Sequence, residues 1–132
     1  MPAPFVSRKI LLVEDDAMVR DLAQSILSSC GYSVLAPEQV QEVGSTYRQY
    51  PGRIDLLLTD VVMPGISGQD LARQMTAWRP EMKVLYISGY TDNAIVSKGF
   101  LDPGIWFLQK PFTPATLAAK VREVLDHPRK AA

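Results

Sequence analysis

Five short aliphatic runs alternate with longer segments of mixed polarity: Lys9–Val13, Tyr32–Ala36, Ile54–Thr59, Met82–Ile87 and Ile105–Leu108. Each is too short for a comfortable helix and nearly unbroken in its apolar character, the pattern of a strand covered on both faces. The segments between them carry helical spacing. Ala17–Cys30 sets Val19, Leu22, Ala23, Ile26, Leu27 and Cys30 on one face, with Asp16 as N-cap and Gly31 just past the end. Pro37–Tyr50 offers Val40, Val43 and Tyr47, although Gly44, Ser45 and Thr46 weaken its helix propensity. Gln69–Trp78 turns Leu71, Ala72, Met75 and Trp78 inward and stops before Pro80. A short helix is expected over Thr91–Phe100. Thr113-Pro114 opens a last helix to Asp126, with Leu117, Ala118, Val121, Val124 and Leu125 inward. Strands alternating with helices define an α/β fold. A parallel sheet lies between two helical layers, and a crevice opens beyond the carboxyl ends of its strands.

The length of 132 residues suits a single domain, 1–132, with a core over about 9–126 and short tails. Fourteen basic residues balance 14 acidic ones, so no basic excess exists to neutralise nucleic-acid phosphates, and no direct nucleic-acid partner is expected. No apolar stretch near the N-terminus is long enough for a signal peptide or a membrane span, so a cytoplasmic location is the default. Cys30 is the single cysteine, which excludes an internal disulfide and a cysteine-based zinc site; its place at the end of the helical stripe predicts a small buried hydrophobe. His127, next to Pro128, has no nucleophile motif beside it and is expected to be solvent-exposed.

The polar residues collect at one end of this scaffold. Glu14, Asp15 and Asp16 follow the first strand, Asp60 ends the third, Ser88 follows the fourth and Lys110 follows the fifth. Four carboxylates in one crevice repel, and one ammonium cannot neutralise them. A hard divalent cation can, and Mg²⁺ takes oxygen ligands while keeping several waters. With metal and Lys110 sharing the charge on phosphoryl oxygens, one carboxylate can act as a nucleophile towards phosphorus, and the Ser88 hydroxyl can donate to a phosphoryl oxygen. A flavin-binding electron carrier would need a phosphate-binding loop after the first strand, where Glu14-Asp15-Asp16 would repel the phosphate. An aspartyl-nucleophile phosphatase usually carries a second Asp two residues past the first, and Val62 occupies that position.

Four motifs in order are Leu11-Leu12-Val13-Glu14-Asp15-Asp16, Thr59-Asp60-Val61-Val62-Met63-Pro64-Gly65, Ile87-Ser88-Gly89-Tyr90 and Lys110-Pro111-Phe112. Together they resemble the receiver domain of bacterial two-component response regulators, over about Lys9–Leu125, and most closely the receivers of hybrid sensor histidine kinases. The resemblance implies a flavodoxin-like (βα)5 sandwich with strand order 2-1-3-4-5. It implies phosphorelay signalling rather than turnover of an external substrate, with self-catalysed phosphotransfer and autodephosphorylation. Asp60 would be the phosphoacceptor and Lys110 the residue contacting the phosphoryl group. Ser88 would be the switch hydroxyl and Phe107 its aromatic partner, lacking the hydroxyl that a tyrosine there would bring. Mg²⁺, with Mn²⁺ as a substitute, would be held by Asp15, Asp60, the Val62 carbonyl and, through water, Glu14. Asp16 would cap the helix. Lys110-Pro111 would be a cis peptide, and Tyr90 would shield Asp60 from attacking water. The implied partner is a histidine kinase or a histidine phosphotransfer protein, with a weak homodimer allowed and no membrane in this segment, although the parent could be a membrane-bound hybrid kinase. The implied signalling surface is made by the fourth helix, the fifth strand and the last helix. The opposing reading is a pseudo-receiver, a protein-interaction module that works without phosphorylation.

Overall fold

The computed structural model describes residues 8–38, 43–47, 50–63, 65–88 and 106–127. Its elements are β1 (Lys9–Val13), α1 (Ala17–Ser29), β2 (Ser33–Leu35), α2 (Val43–Tyr47), β3 (Leu56–Asp60), α3 (Gly68–Trp78), β4 (Lys83–Ser88), β5 (Trp106–Gln109) and α4 (Pro114–Asp126). The strands form one parallel sheet in the order β2-β1-β3-β4-β5. The helix expected over 91–100, together with Val40, Pro64, Gly89, Tyr90 and Ile105, lies outside the described residues.

The apolar runs split between two cores because successive strand side chains point to opposite faces. Leu11, Val13, Leu57 and Tyr86 pack with Val43 of α2 and with Leu71, Ala72 and Met75 of α3. Ile10, Leu12, Leu56, Leu58, Leu85 and Ile87 pack on the other face with Ala23 and Leu27 of α1 and Leu117, Val121 and Val124 of α4. Each fully buried Leu or Ile contributes about 1.5–3 kcal/mol, so these two layers are what fixes the sheet and, with it, the ends of the strands.

The helix ends are set locally. Asp16 Oδ1 accepts from the Met18 and Val19 N–H groups at 2.9 and 3.3 Å, and Gly31 takes a φ of 97° just past α1, where a side chain would be strained. Ser67 caps α3, and Thr113 and Thr116 form a reciprocal capping box at the start of α4. At its far end, Lys83 of β4 donates to the carbonyls of Val124 and Leu125 at 3.0 Å each, and also to that of His127. A strand side chain thereby terminates the last helix.

Three expectations need correction. Leu22 is 49% exposed, whereas Arg20 is buried in the stripe with Ala23 and Leu27. The inward face of α1 is thus rotated from the one its apolar residues suggest. Trp78 is 38% exposed because α3 ends there, leaving the ring at the rim. Cys30 is exposed, since the helix closes at Ser29 and the thiol sits beyond its packed length. His127 is exposed and meets Trp106 edge-on, with ring centroids 5.1 Å apart.

Candidate functional site

Asp60 is the last residue of β3, the central strand, and is 5% exposed. Its backbone is held on two sides. The Val61 N–H donates to the Ile87 carbonyl at 3.0 Å, continuing the β3–β4 ladder past Asp60. The Gly68 N–H donates to the Val61 carbonyl at 2.8 Å and closes the loop into α3. A Cβ at position 68 would lie 2.0 Å from the Asp60 carbonyl oxygen, so α3 can begin here only with glycine. The backbone of α3 is pressed directly against that of Asp60.

The turn after β1 brings two more carboxylates. One oxygen each from Glu14, Asp15 and Asp60 lie within 4.8 Å of one another, a grouping that could hold a metal ion. Glu14 is fully buried and Asp15 is exposed, so one acid lines the floor and the other the mouth. Asp16 is turned away and caps α1.

Lys110 follows β5 and reaches across this cluster. Its Nζ lies 2.9 Å from Asp60 Oδ2, in a hydrogen bond, and 2.8 Å from Glu14 Oε1. The approach to Glu14 is an ion pair without hydrogen-bond alignment: Glu14 Oε1 is buried and has no directed partner among the described residues. Glu14 Oε2 accepts from the Asp16 N–H at 3.1 Å. Burial pushes the Glu14 carboxyl up to about 7. The Lys110 ammonium opposes the shift, and the neighbouring Asp60 charge adds to it. Burial pulls the Lys110 ammonium down, but its contacts with Glu14 and Asp60 outweigh that, leaving it above the usual lysine value. Three carboxylates offering oxygens within 4.8 Å of one another, with one ammonium between them, leave negative charge that a hard cation would satisfy, so the donor set fits an oxygen-seeking divalent ion.

The other residues named from the sequence lie around this group. Ser88 ends β4 fully buried, and its carbonyl accepts from the Lys110 N–H at 2.6 Å. Phe107 is half-buried on β5 against the core that contains Tyr86, its partner in register across the β4–β5 pair. Val62, two residues past Asp60, is 52% exposed. The Lys110-Pro111 peptide is cis.

Two residues at the site escape a reading of motifs. Gly68 was invisible because its constraint comes from a strand eight positions earlier. Arg20 could have been noticed: it falls in helical step with Ala23 and Leu27 and so sits on the inward face. Its Nη1 donates to the Glu14 carbonyl at 3.0 Å.

Residues 10–122 match the family described as the response regulator receiver domain. The chain is 34% identical over 120 residues to the sensor kinase CckA of Brucella abortus, an alignment covering 91% of this chain and 13% of that protein. It therefore spans a small part of that kinase. The response regulator receiver protein CpdR of the same organism is 30% identical over 118 residues, covering 89% of this chain and 97% of its own. The crystal structure of a response regulator receiver protein from Sinorhizobium medicae superposes with a TM-score of 0.76 at 29% identity, covering 91% of this chain and 95% of the other. The strand order, the acidic cluster at the carboxyl ends of the strands and the match over most of the chain agree: the chain belongs to the response regulator receiver domain family, the signalling domains of two-component phosphorelays.

Proposed function

We propose that Asp60 accepts a phosphoryl group from a phosphohistidine of a histidine kinase or histidine phosphotransfer protein in a Mg²⁺-dependent reaction. The observation that carries this reading is the single ammonium of Lys110 bound at 2.9 Å to Asp60 and at 2.8 Å to Glu14, within the three-carboxylate cluster. A carboxylate oxygen of Asp60 attacks phosphorus, the N–P bond breaks, and the imidazole nitrogen leaves with the electron pair. Lys110 moves from the carboxylate to the incoming phosphoryl oxygens; a compact charge on a flexible stem suits that transfer. The Ser88 hydroxyl donates to another phosphoryl oxygen. Asp15, Asp60, the Val62 carbonyl and, through water, Glu14 would hold Mg²⁺, which when bound offsets the charge on the phosphoryl oxygens. Phosphorylation is read out at the face of β5, α4 and the segment 91–100, with Phe107 as the aromatic element. The domain works in the cytoplasm. Among the described residues no helix is long and apolar enough to cross a membrane.

Incubation with acetyl phosphate and Mg²⁺, followed by intact mass measurement, tests this. Wild-type protein gains one phosphoryl group, and the gain disappears with EDTA and in Asp60→Asn. Equal labelling of Asp60→Asn would refute Asp60 as acceptor. An unlabelled wild type would turn the reading to a phosphorylation-independent interaction module.

A further inference from the structure

Arg20 occupies a place where an apolar residue would be expected. It shares the buried stripe of α1 with Ala23 and Leu27 and is 9% exposed. Burying a guanidinium is unfavourable unless the charge is paired. Yet the guanidinium of Arg20 donates to a neutral group, the Glu14 carbonyl, at 3.0 Å. A leucine or methionine would fill the stripe without that penalty. The arginine therefore serves the turn above it rather than the core.

The geometry of that turn shows how. The Glu14 carbonyl belongs to the peptide unit that leads into Asp15, and that unit is planar. Pinning its oxygen fixes the plane, and with it the place of the Asp15 Cα from which that side chain departs. The remaining bonds of the turn hold its other parts: the Asp16 N–H donates to Glu14 Oε2 at 3.1 Å, and the Arg20 N–H donates to the Asp16 carbonyl at 2.9 Å. Arg20 thus holds the turn twice, by its backbone below Asp16 and by its side chain at Glu14. Asp15 is exposed, so packing does not orient it. Building on the metal-dependent reading above, we infer that Arg20 is a positioning residue for metal capture: its grip on the Glu14 carbonyl keeps Glu14 and Asp15 facing Asp60.

The inference separates from simple charge neutralisation by its sign. If Arg20 merely added positive charge, removing it would tighten the binding of a divalent cation. If it positions ligands, removing it weakens binding, on the order of 10-fold as for other groups that orient metal ligands. The test is Arg20→Met, which keeps the length and suits burial, with Arg20→Leu alongside should the methionine variant fail to fold. Mg²⁺ affinity is measured by titration of amide chemical shifts, and the melting temperature is measured in EDTA. The expected result is a dissociation constant about 10-fold higher with an unchanged or raised metal-free melting temperature. Arg20→Lys, which restores a donor and a charge, recovers part of the affinity. Binding equal to or tighter than wild type in the apolar variant overturns the inference, as does a loss of affinity that only follows a loss of stability. A wild-type protein that binds no Mg²⁺ would instead remove the reading on which the inference rests.

Discussion

Glu14→Gln should make the metal-free domain more stable, although it deletes an ion pair with Lys110. The Glu14 carboxyl is fully buried and raised from 4.5 to about 7, chiefly by burial. At 1.36 kcal/mol per pH unit, ionised Glu14 costs the folded apo protein about 3 kcal/mol above pH 7. The sign follows from proton binding. Between pH 4.5 and 7 the folded state holds a proton on Glu14 that the unfolded state has lost, so this stabilisation is complete below 4.5 and is lost as pH rises through 7. Glutamine cannot ionise, and its carbonyl can still accept from the Asp16 N–H. Allowing for imperfect replacement, the gain at pH 8 is about 2 kcal/mol, or roughly 6–10 °C in melting temperature for a domain of this size. At pH 5 the gain shrinks to well under 1 kcal/mol, because wild-type Glu14 is then largely protonated when folded. Thermal denaturation of both proteins in EDTA across pH 5 to 8 measures the difference, in which the titration of all other groups cancels. With Mg²⁺ the wild type recovers ground, because a ligand bound only to the native state stabilises it. A Glu14→Gln variant that is less stable at pH 8, or whose advantage does not change with pH, would refute the argument.

Two further substitutions test the scaffold around the site. Gly68→Ala forces a Cβ to within 2.0 Å of the Asp60 carbonyl oxygen and should destabilise by at least about 1–3 kcal/mol; an unchanged urea midpoint would show that the contact yields freely. Lys83→Met removes the donor shared by the Val124 and Leu125 carbonyls and should cost about 1–3 kcal/mol, with amide exchange rising first at the end of α4; uniform protection along α4 would count against that role.

Most of the sheet was legible because its signal is local. A run such as Leu56-Leu57-Leu58 must be a strand buried on both faces, and it puts its two kinds of neighbour in separate cores. The acids and the lysine were legible as a group because parallel strands deliver their carboxyl ends to one side. What stayed hidden depends on tertiary contact. The rotation of α1 about its axis decides whether Leu22 or Arg20 faces inward, and periodicity with several apolar residues allows both. Trp78 and Cys30 lie at helix ends, where one residue of length separates burial from exposure. The buried state of Glu14, and hence its raised proton affinity, follows from the tertiary packing around the turn after β1 and outweighs the opposing Lys110 charge, a balance that no local pattern contains.

The bare backbone of Gly68 has a consequence for how this sequence can vary. The residue offers no side-chain group, yet α3 cannot begin with a side chain without displacing the Asp60 carbonyl. Mutational scanning by function would therefore score position 68 beside the carboxylates, although its contribution is the space it leaves empty. A library that shuffles α3 between such domains would have to keep this position while allowing the outer face of the helix, with Arg73 and Gln74, to drift. The exposed face of the helix can change without displacing Asp60, provided its first residue stays the smallest one available.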